Sequence, residues 1–271
     1  MVPERPRLIS APSFILRPAS GPMGLADLLR AMASEDRLAI LDRLSGGPER
    51  LTGLASALGA TPQEVHRHLS RLADSGLVER TPGGYALTEY GRQALALLSG
   101  LRFLAEHRDY FSDHTLSRLP PDLAVRIGEL EGSLFTRDVM LAFRAVELAI
   151  EGARDFVWIA SNQVLVSSLG PLERAVSRGV EFRLVLREDA VPPPGFRPIP
   201  GTLRRVAREL PAVVMVSEGW GFVSLPRVDG GFDYAGFGTD SPRGVRWCRD
   251  LFESCLLYTS DAADDGESVD L

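Results

Sequence analysis

Residues 61–90 constrain the fold of this chain most, because helix and hairpin signals alternate there over a short distance. Thr61 suits a helix start because its hydroxyl can accept free backbone N–H groups, and Pro62 suits the first helical position because no donor is needed there. Gly76 suits a left-handed helix end. The apolar side of the helix repeats at helical spacing: Val65, Leu69 and Leu72. Residues 81–84, Thr-Pro-Gly-Gly, then join two short apolar runs, which predicts a hairpin.

Further helices are predicted on both sides of this segment. One begins at Ser34 and ends before Gly46, and a shorter one spans 51–58, with Gly-Ala as the turn into Thr61. After the hairpin, Thr88 can cap a long helix. The apolar positions of that helix are Leu95, Leu98, Leu101 and Leu104. Two helices, a recognition helix, a hairpin and a closing helix are the order of a winged helix-turn-helix.

The polar side of the helix that begins at Thr61 predicts contact with double-stranded DNA. Arginine can donate two hydrogen bonds to a guanine edge and glutamine can pair with adenine, each worth about 1–3 kcal/mol of discrimination. The alternative is a solvated face, which is favoured for a lone helix but not for one between a helix and a hairpin. The predicted DNA-contacting residues are Thr61, Gln63, Glu64, His66, Arg67, Ser70 and Arg71 in the helix, and Arg80 and Tyr85 in the hairpin.

The segment V-x-R-H-L-x-x-L-x-x-x-G-L-V, which begins at Val65, is followed by L-T-x-x-G from Leu87. This sequence pattern resembles that of prokaryotic winged-helix transcription regulators, and the resemblance implies a DNA-binding regulator of transcription. The long apolar helix after Thr88 also needs a partner surface. We therefore expect a homodimer that presents two recognition helices to successive major grooves.

The chain contains no lysine, since all 30 of its basic side chains are arginine. A P-loop ATPase, an enzyme that forms a Schiff base and a phosphodiesterase with a His-x-Lys motif all require a lysine amine. The sequence also offers no pattern of a nucleophile beside a base. These observations predict that the protein is not an enzyme and needs no cofactor.

The net charge of −6 is unusual for a DNA-binding protein, but residues 255–271 contribute five of the 36 acidic side chains. This segment begins CLLYTSDAADD, the translation of a transposase adapter used in sequencing-library preparation. We interpret it as a non-native tail, so that the native sequence beyond Ser254 is not present; the alternative is an authentic acidic tail. Without the segment, 31 acidic side chains oppose 30 arginines and the net charge is −1. DNA affinity would then depend on where the arginines lie.

Neither a metal site nor a membrane span is predicted. His66 and His68 lie about 200° apart on one helix and cannot share a metal, and one of the two cysteines falls in the expected non-native tail, which leaves no disulfide. No apolar run has the length of a bilayer span, so we expect a cytoplasmic protein. Residues 1–23 contain five prolines and are an expected disordered lead-in, with Met23 as an alternative start to Met1.

From residue 113 onwards, apolar runs alternate with helical patterns, which predicts an α/β domain with a partly parallel sheet. The predicted strands are residues 156–160, 180–186, 213–216, 221–225 and 232–237. The predicted helices are residues 119–130, 136–152 and 171–177, and a further helix that contains Leu203 and Val206. We therefore expect a winged-helix domain with its dimerising helix at 24–112, and an α/β domain at 113–254.

Four segments of this half carry a second resemblance. They are F-S-D-H-T-L-S-R-L-P-P-D-L from Phe111, A-S-N-Q-V-L from Ala160, R-G-V-E-F-R-L-V-L from Arg178 and T-D-S-P-R-G-V-R-W-C-R-D-L-F from Thr239. These segments resemble archaeal winged-helix regulators whose C-terminal domain is described as the methanogenesis regulatory protein middle domain. The layout is also similar to that of archaeal sugar-responsive, TrmB-like regulators. The resemblance spans roughly residues 25–254 and implies an effector domain in the second half.

Ligands of open α/β sheets collect beyond the carboxyl ends of strands. Polar groups that follow three predicted strands therefore predict a site for a small-molecule effector that alters DNA affinity: Ser161, Asn162, Gln163, Glu188, Ser217, Glu218 and Trp220. Ordinary loop chemistry is the alternative for each residue, and a ligand-free protein-interaction or dimerisation module is the alternative for the domain. Trp158 and Trp247 are predicted to be core residues. The operator, the effector and the sign of regulation do not follow from the sequence.

Overall fold

The computed structural model describes residues 23–193, 199, 202–257 and 259, and its contacts divide the chain into two compact units, Met1–Ala96 and Leu97–Leu271. Residues 1–22 of the expected lead-in and most of the expected tail lie outside the described residues. The described part of the tail continues a helix as far as Leu257, with Cys255 buried. In the described ranges, no helix has both the length and the apolar character that a bilayer crossing requires.

The first unit is a winged helix-turn-helix, as predicted, with one additional helix at its start. Its elements are α1 (Leu25–Met32), α2 (Glu35–Ser45), α3 (Leu51–Leu58), α4 (Pro62–Asp74), β1 (Val78–Thr81), β2 (Gly84–Leu87) and the first part of α5 (Glu89–Glu106). The sequence pattern did not predict α1. Arg37 of α2 is buried and donates to the carbonyl oxygens of Arg30, Ala31 and Ala33 at the end of α1. This contact satisfies carbonyl groups that the helix leaves free and secures α1 to α2.

The wing is a hairpin with a third, single-residue strand beside it. β1 and β2 pair antiparallel, with Arg80 opposite Tyr85, and Glu49 exchanges two backbone hydrogen bonds with Tyr85, at 2.8 and 2.9 Å. Gly84 has a φ of 128°, and a Cβ added there would lie 2.2 Å from the carbonyl oxygen of Glu49. Glycine is therefore required at this position both by the backbone conformation and by the close approach of the neighbouring strand.

The second unit is an α/β domain. Its helices are α6 (Arg108–Phe111), α7 (Pro121–Val125), α8 (Val139–Gly152), α9 (Val166–Ser177) and α10 (Pro242–Leu257), with a 3-10 turn at Ile127–Leu130. Its strands are β3 (Leu134–Thr136), β4 (Phe156–Ser161), β5 (Glu181–Arg187), β6 (Leu203–Ala207), β7 (Val213–Ser217), β8 (Gly221–Ser224) and β9 (Gly236–Thr239). Within the described residues, these strands form one sheet in the order β3-β9-β8-β7-β4-β5-β6.

The sheet is partly parallel, as predicted. β4, β5 and β6 are parallel neighbours, whereas β7 pairs with β4 in the antiparallel direction and the strands beyond it are also antiparallel. Side chains of α8 and α9 form one apolar cluster with the sheet, and side chains of α10 form another. Trp158 and Trp247 are buried in the second cluster, where the indole N–H of Trp247 donates to the carbonyl oxygen of Leu123. The prediction that both tryptophans are core residues is confirmed.

Several predicted elements of this half were wrong in type or in bounds. The residues around Leu203 and Val206 form strand β6, not a helix, because the backbone of β5 supplies hydrogen-bond partners along an exposed edge. The strand expected at 232–237 is shifted and becomes β9. The helix expected from residue 119 to 130 is the short α7 followed by a 3-10 turn, and the helix expected from 136 begins only after β3.

The boundary between the two units lies inside α5, earlier than the predicted boundary after residue 112. Phe103 and Tyr110 are buried in the core of the second unit, which explains why the end of α5 belongs there. The predicted apolar side of α5 is not its buried side. Leu101 is exposed, and the other three predicted positions, Leu95, Leu98 and Leu104, are only partly buried.

Candidate nucleic-acid interface and ligand pocket

The start of α4 is held by a capping box between Thr61 and Glu64. The Thr61 hydroxyl oxygen accepts from the backbone N–H of Glu64 at 3.3 Å, and the Glu64 carboxylate accepts from the backbone N–H of Thr61 at 2.9 Å and from its hydroxyl at 2.8 Å. These hydrogen bonds from Thr61 lower the pKa of Glu64. Both side chains were predicted to contact DNA, and the structure engages both in the cap.

The two sides of α4 differ as the sequence predicted. Val65, Leu69 and Leu72 are buried. The opposite side presents the predicted polar set to solvent: Gln63, His66, Arg67, Ser70 and Arg71. Neither Arg67 nor Arg71 forms an ion pair with any residue that the structure describes, whereas the Ser70 hydroxyl donates to the carbonyl oxygen of His66 at 2.9 Å. Two guanidinium groups on this face are thus available to an external partner.

His68 lies between these two sides. Its side chain is largely buried, and its Nε2 atom is 3.4 Å from a carboxylate oxygen of Asp36 in α2. In the wing, Arg80 is exposed and Tyr85 is partly buried. The backbone of Tyr85 is paired on both sides, with Arg80 and with Glu49. The wing therefore offers the Arg80 side chain to solvent from a well-anchored position.

The seven predicted ligand-binding residues do not come together. Ser161, Asn162 and Gln163 follow the carboxyl end of β4, but β7 is antiparallel to β4 and places Ser217 opposite Val157 at the other end of the strand. Ser217, Glu218 and Trp220 are therefore at the opposite edge of the sheet. The expectation of one shared edge was wrong because it assumed that β7 ran parallel to β4.

Glu218 instead connects two strands. Its carboxylate accepts from the backbone N–H groups of Arg154 at 2.8 Å and of Phe156 at 3.4 Å. Burial raises the pKa of Glu218, but the hydrogen bonds from backbone N–H groups outweigh that effect and leave the pKa below its usual range. The Ser217 hydroxyl donates to the Trp220 carbonyl oxygen, and the Trp220 ring stacks on Phe222. These contacts give the three residues structural roles.

A pocket lies in the apolar cluster between helices α8 and α9 and the sheet, and Ser161 and Gln163 are on its wall. Its cavity volume is about 70 Å³, and the space extends to about 780 Å³ when the open mouth is included. Apolar side chains dominate the wall: Phe143, Leu165, Leu169, Leu172, Leu184, Met215 and Phe222. Glu188 follows β5, is exposed and is not part of this wall. Of the predicted ligand residues, only Ser161 and Gln163 line the pocket directly.

Tyr234 connects Asn162 to this pocket. Its hydroxyl donates to Oδ1 of Asn162 at 2.6 Å, and its ring packs edge-on against Phe143. Burial raises the pKa of Tyr234 to about 12, so the hydroxyl keeps its proton at neutral pH. Tyr234 has a φ of 60°, the only positive φ of a non-glycine residue in the described part of the chain. No sequence signal pointed to Tyr234, because the loop that carries it meets β4 only in the folded domain.

The thiols and acidic groups of the described residues show no arrangement that could hold a metal ion. Both cysteines, Cys248 and Cys255, are free and buried, and burial raises the pKa of each to about 12. Among the residues that the structure describes, no three or more His, Cys, Asp or Glu side chains are grouped so that they could hold a metal ion.

Residues 25–107 match a family model described as the HVO_A0261 N-terminal domain. The solved structures that are similar to the chain include the following three. TrmBL2, described as an archaeal chromatin protein, is 12% identical over 84% of this chain and 95% of its own, with a TM-score of 0.35. NucT from Helicobacter pylori is 13% identical over 44% of this chain and 89% of its own, with a TM-score of 0.35. The transcriptional repressor BigR from Xylella fastidiosa is 27% identical over 30% of this chain and 85% of its own, with a TM-score of 0.26. No curated protein matches the chain.

Proposed function

We propose that this protein is a DNA-binding transcription regulator that reads duplex DNA with the outward face of α4. The observation that carries the proposal is the separation of the two sides of α4. The helix is capped at its start and packed by buried leucines, and it exposes Arg67 and Arg71 without an ion pair to any described residue. Such a face can enter a DNA groove without breaking an ion pair within the described part of the protein.

The dimensions of α4 fit this role. The helix has 13 residues, which corresponds to about 20 Å at 1.5 Å per residue, and a major groove about 12 Å wide admits one α-helix. Gln63, Arg67 and Arg71 are the candidate base readers, because their side chains can make the paired hydrogen bonds that base edges offer. Thr61 and Glu64 then position the helix through its cap, and Arg80 of the wing contacts a phosphate.

We further propose that the protein acts as a homodimer through α5. Leu97 and Leu101 are one helical turn apart on α5, and they are 77% and 56% exposed. Association of two copies along this face would remove both side chains from water. A dimer would present two recognition helices to successive major grooves, about one turn of DNA apart.

A second function for the α/β unit is a ligand-free interaction module. The observation in its favour is an exposed apolar side of α8, which includes Met140, Leu141 and Leu148. The pocket in the same unit favours a sensing role instead, and ligand-dependent melting separates the two, because a ligand that binds only the folded state raises its stability. Three expectations remain predictions. They are the likeness of this unit to the methanogenesis regulatory protein middle domain, the similarity of its layout to sugar-responsive regulators, and a cytoplasmic location.

The experiment begins with a DNA fragment that the full chain selects from a random-sequence pool. We expect Arg67→Ala to weaken binding to this fragment by about 1–3 kcal/mol, measured by fluorescence anisotropy, because a base contact is lost. Arg30→Ala is the matched control: Arg30 is an exposed arginine of the same unit that lies on α1, so the charge change is identical. Unfolding curves of both variants should equal that of the parent.

Arg80→Ala tests the wing in the same assay. A phosphate contact predicts weaker binding to all sequences and a slope of affinity against salt that is shallower by about one. The proposal fails if the pool yields no enriched sequence, or if Arg67→Ala binds the selected fragment like the parent.

A further inference from the structure

The pocket of the α/β unit contains a buried hydroxyl group that no described residue pairs with. Ser168 of α9 is only 4% exposed and lies on the pocket wall. Its hydroxyl has no hydrogen-bond partner among the described residues. A buried polar group of this kind costs folding free energy. A guest molecule with an oxygen atom can satisfy it.

Most of the wall around Ser168 is hydrocarbon. α9 contributes Leu169 and Leu172 besides Ser168, and Leu165 lies directly before this helix. β7 and β8 contribute Met215 and Phe222. Side chains of this kind favour an aliphatic or aromatic body. A sugar would fit less well, because the few other polar side chains on the wall, such as Gln163 and Thr202, cannot pair with all of its hydroxyl groups.

The described part of the pocket wall also carries one positive charge. Arg204 of β6 is the only charged residue on the wall in the part of the chain that the structure describes, and no described carboxylate pairs with it. It is exposed, so its guanidinium lies on the solvent side of the pocket. A guanidinium fork matches a carboxylate in geometry and charge.

We propose that this pocket binds a small amphipathic monocarboxylate that carries one further oxygen atom. The carboxylate pairs with Arg204 on the solvent side, the hydrocarbon body lies between α9 and the sheet, and the second oxygen accepts a hydrogen bond from Ser168. The interpretation of this pocket as an effector site rests on the proposed function. It names the ligand class to which the DNA-binding unit would respond.

The test measures melting temperatures and calorimetric affinities of the full chain with straight-chain monocarboxylates from butanoate to decanoate and with their ω-hydroxy analogues. We expect at least one acid to stabilise the parent by mass action, its hydroxy analogue to bind more tightly, and the corresponding neutral alcohol to bind more weakly. Arg204→Gln should weaken the acids about tenfold, because a hydrogen bond to a charged group is lost at a partly solvated site. Arg205→Gln, the neighbouring arginine of β6 that is not on the pocket wall, is the matched control.

Ser168→Ala should affect stability and ligand binding in opposite directions. We expect the unliganded variant to be at least as stable as the parent, because a buried hydroxyl without a partner is removed. The advantage of the hydroxy analogues over the plain acids should disappear. A merely structural serine would instead lower stability when it is removed and leave the affinities unchanged.

The inference is overturned if no acid stabilises the parent, if the neutral alcohols bind as tightly as the acids, or if Arg204→Gln and Arg205→Gln bind alike. Its failure is distinguishable from that of the proposed function, because acid binding is measured without DNA. If acids bind but the random-sequence pool yields no enriched DNA, the pocket assignment stands and the regulator is rejected. Acids that bind and also change DNA affinity, by about 5-fold to 150-fold for a typical coupling, would support both.

Discussion

The outward face of α4 and the pocket of the α/β unit are assembled in different ways. The residues that define α4, from the cap at Thr61 to the last buried leucine at Leu72, are consecutive in the sequence. The pocket wall, in contrast, takes side chains from α8, α9 and five strands, together with Tyr234 from a loop. A surface on one helix follows from local periodicity, whereas a cavity between layers follows from strand order and packing.

The largest effect is expected when a closely packed leucine and a leucine beside the pocket are each replaced by alanine. Leu69→Ala in α4 should cost about 3 kcal/mol, because Leu69 is fully buried and the smaller side chain would leave a cavity. Leu172→Ala should cost less, about 1–2 kcal/mol, because part of the Leu172 surface already borders the pocket. Hydrogen exchange of the backbone amides of α4 and of α9 measures the two opening free energies separately. Equal costs would contradict the difference in packing.

A second comparison asks whether the first unit, like α4, depends mainly on contacts between residues that are close in the sequence. Gly84→Ala should cost about 2 kcal/mol, because it forces an alanine into a left-handed region and drives its Cβ against the carbonyl oxygen of Glu49, a residue far away in sequence. Gly83→Ala is the matched control, since its Cβ would meet its nearest neighbour, Pro48, at an ordinary 3.5 Å.

Thermal unfolding followed by circular dichroism measures the stability of both glycine variants, and binding to the selected DNA fragment measures their affinity. We expect Gly84→Ala to lose stability and wing-dependent affinity together, and Gly83→Ala to resemble the parent. If both variants behave alike, the turn itself and not the third strand determines the wing.

The smallest expected effect compares two carboxylates. The Glu64 carboxylate bonds Thr61, three residues away, whereas the Glu218 carboxylate bonds the backbone of Arg154, 64 residues away. Because the pKa of Glu218 is lowered in the folded state, its stabilising effect is complete above the ordinary carboxyl pKa of about 4.3. That effect is lost as the pH falls through the lowered value.

Glu218→Gln should therefore make the second unit less sensitive to acid between about pH 5 and pH 3. All three tryptophans, at positions 158, 220 and 247, belong to the second unit, so urea unfolding followed by tryptophan fluorescence reports on this unit. Glu64→Gln is the control and should leave the same curve unchanged at every pH. Identical pH profiles for the parent and Glu218→Gln would show that the link from Glu218 to β4 does not depend on the charge.

The sequence predicted more of the first unit than of the second. The bounds of α3 and α4, the cap at Thr61 and the turn before Gly84 all matched, because each depends on hydrogen bonds or side-chain contacts within a few residues. α1 was missed because the contact that secures it comes from Arg37 in the next helix. In the second unit, β4, β5 and β7 were predicted from their apolar runs, but β6 was mistaken for a helix, since an edge strand buries too few residues to show an alternating pattern.

By itself, the sequence determined which side of α4 is buried and which side is free, because a helix repeats every 3.6 residues and its hydrogen bonds are local. Only the tertiary structure decided the direction of β7, which depends on the partner strand that the folded sheet places beside it. That direction separates Ser217, Glu218 and Trp220 from Ser161, and it leaves the pocket to residues such as Tyr234, Ser168 and Arg204, which no local pattern brings together. Pairing between distant strands is a property of the whole sheet, so it cannot be deduced from any one segment.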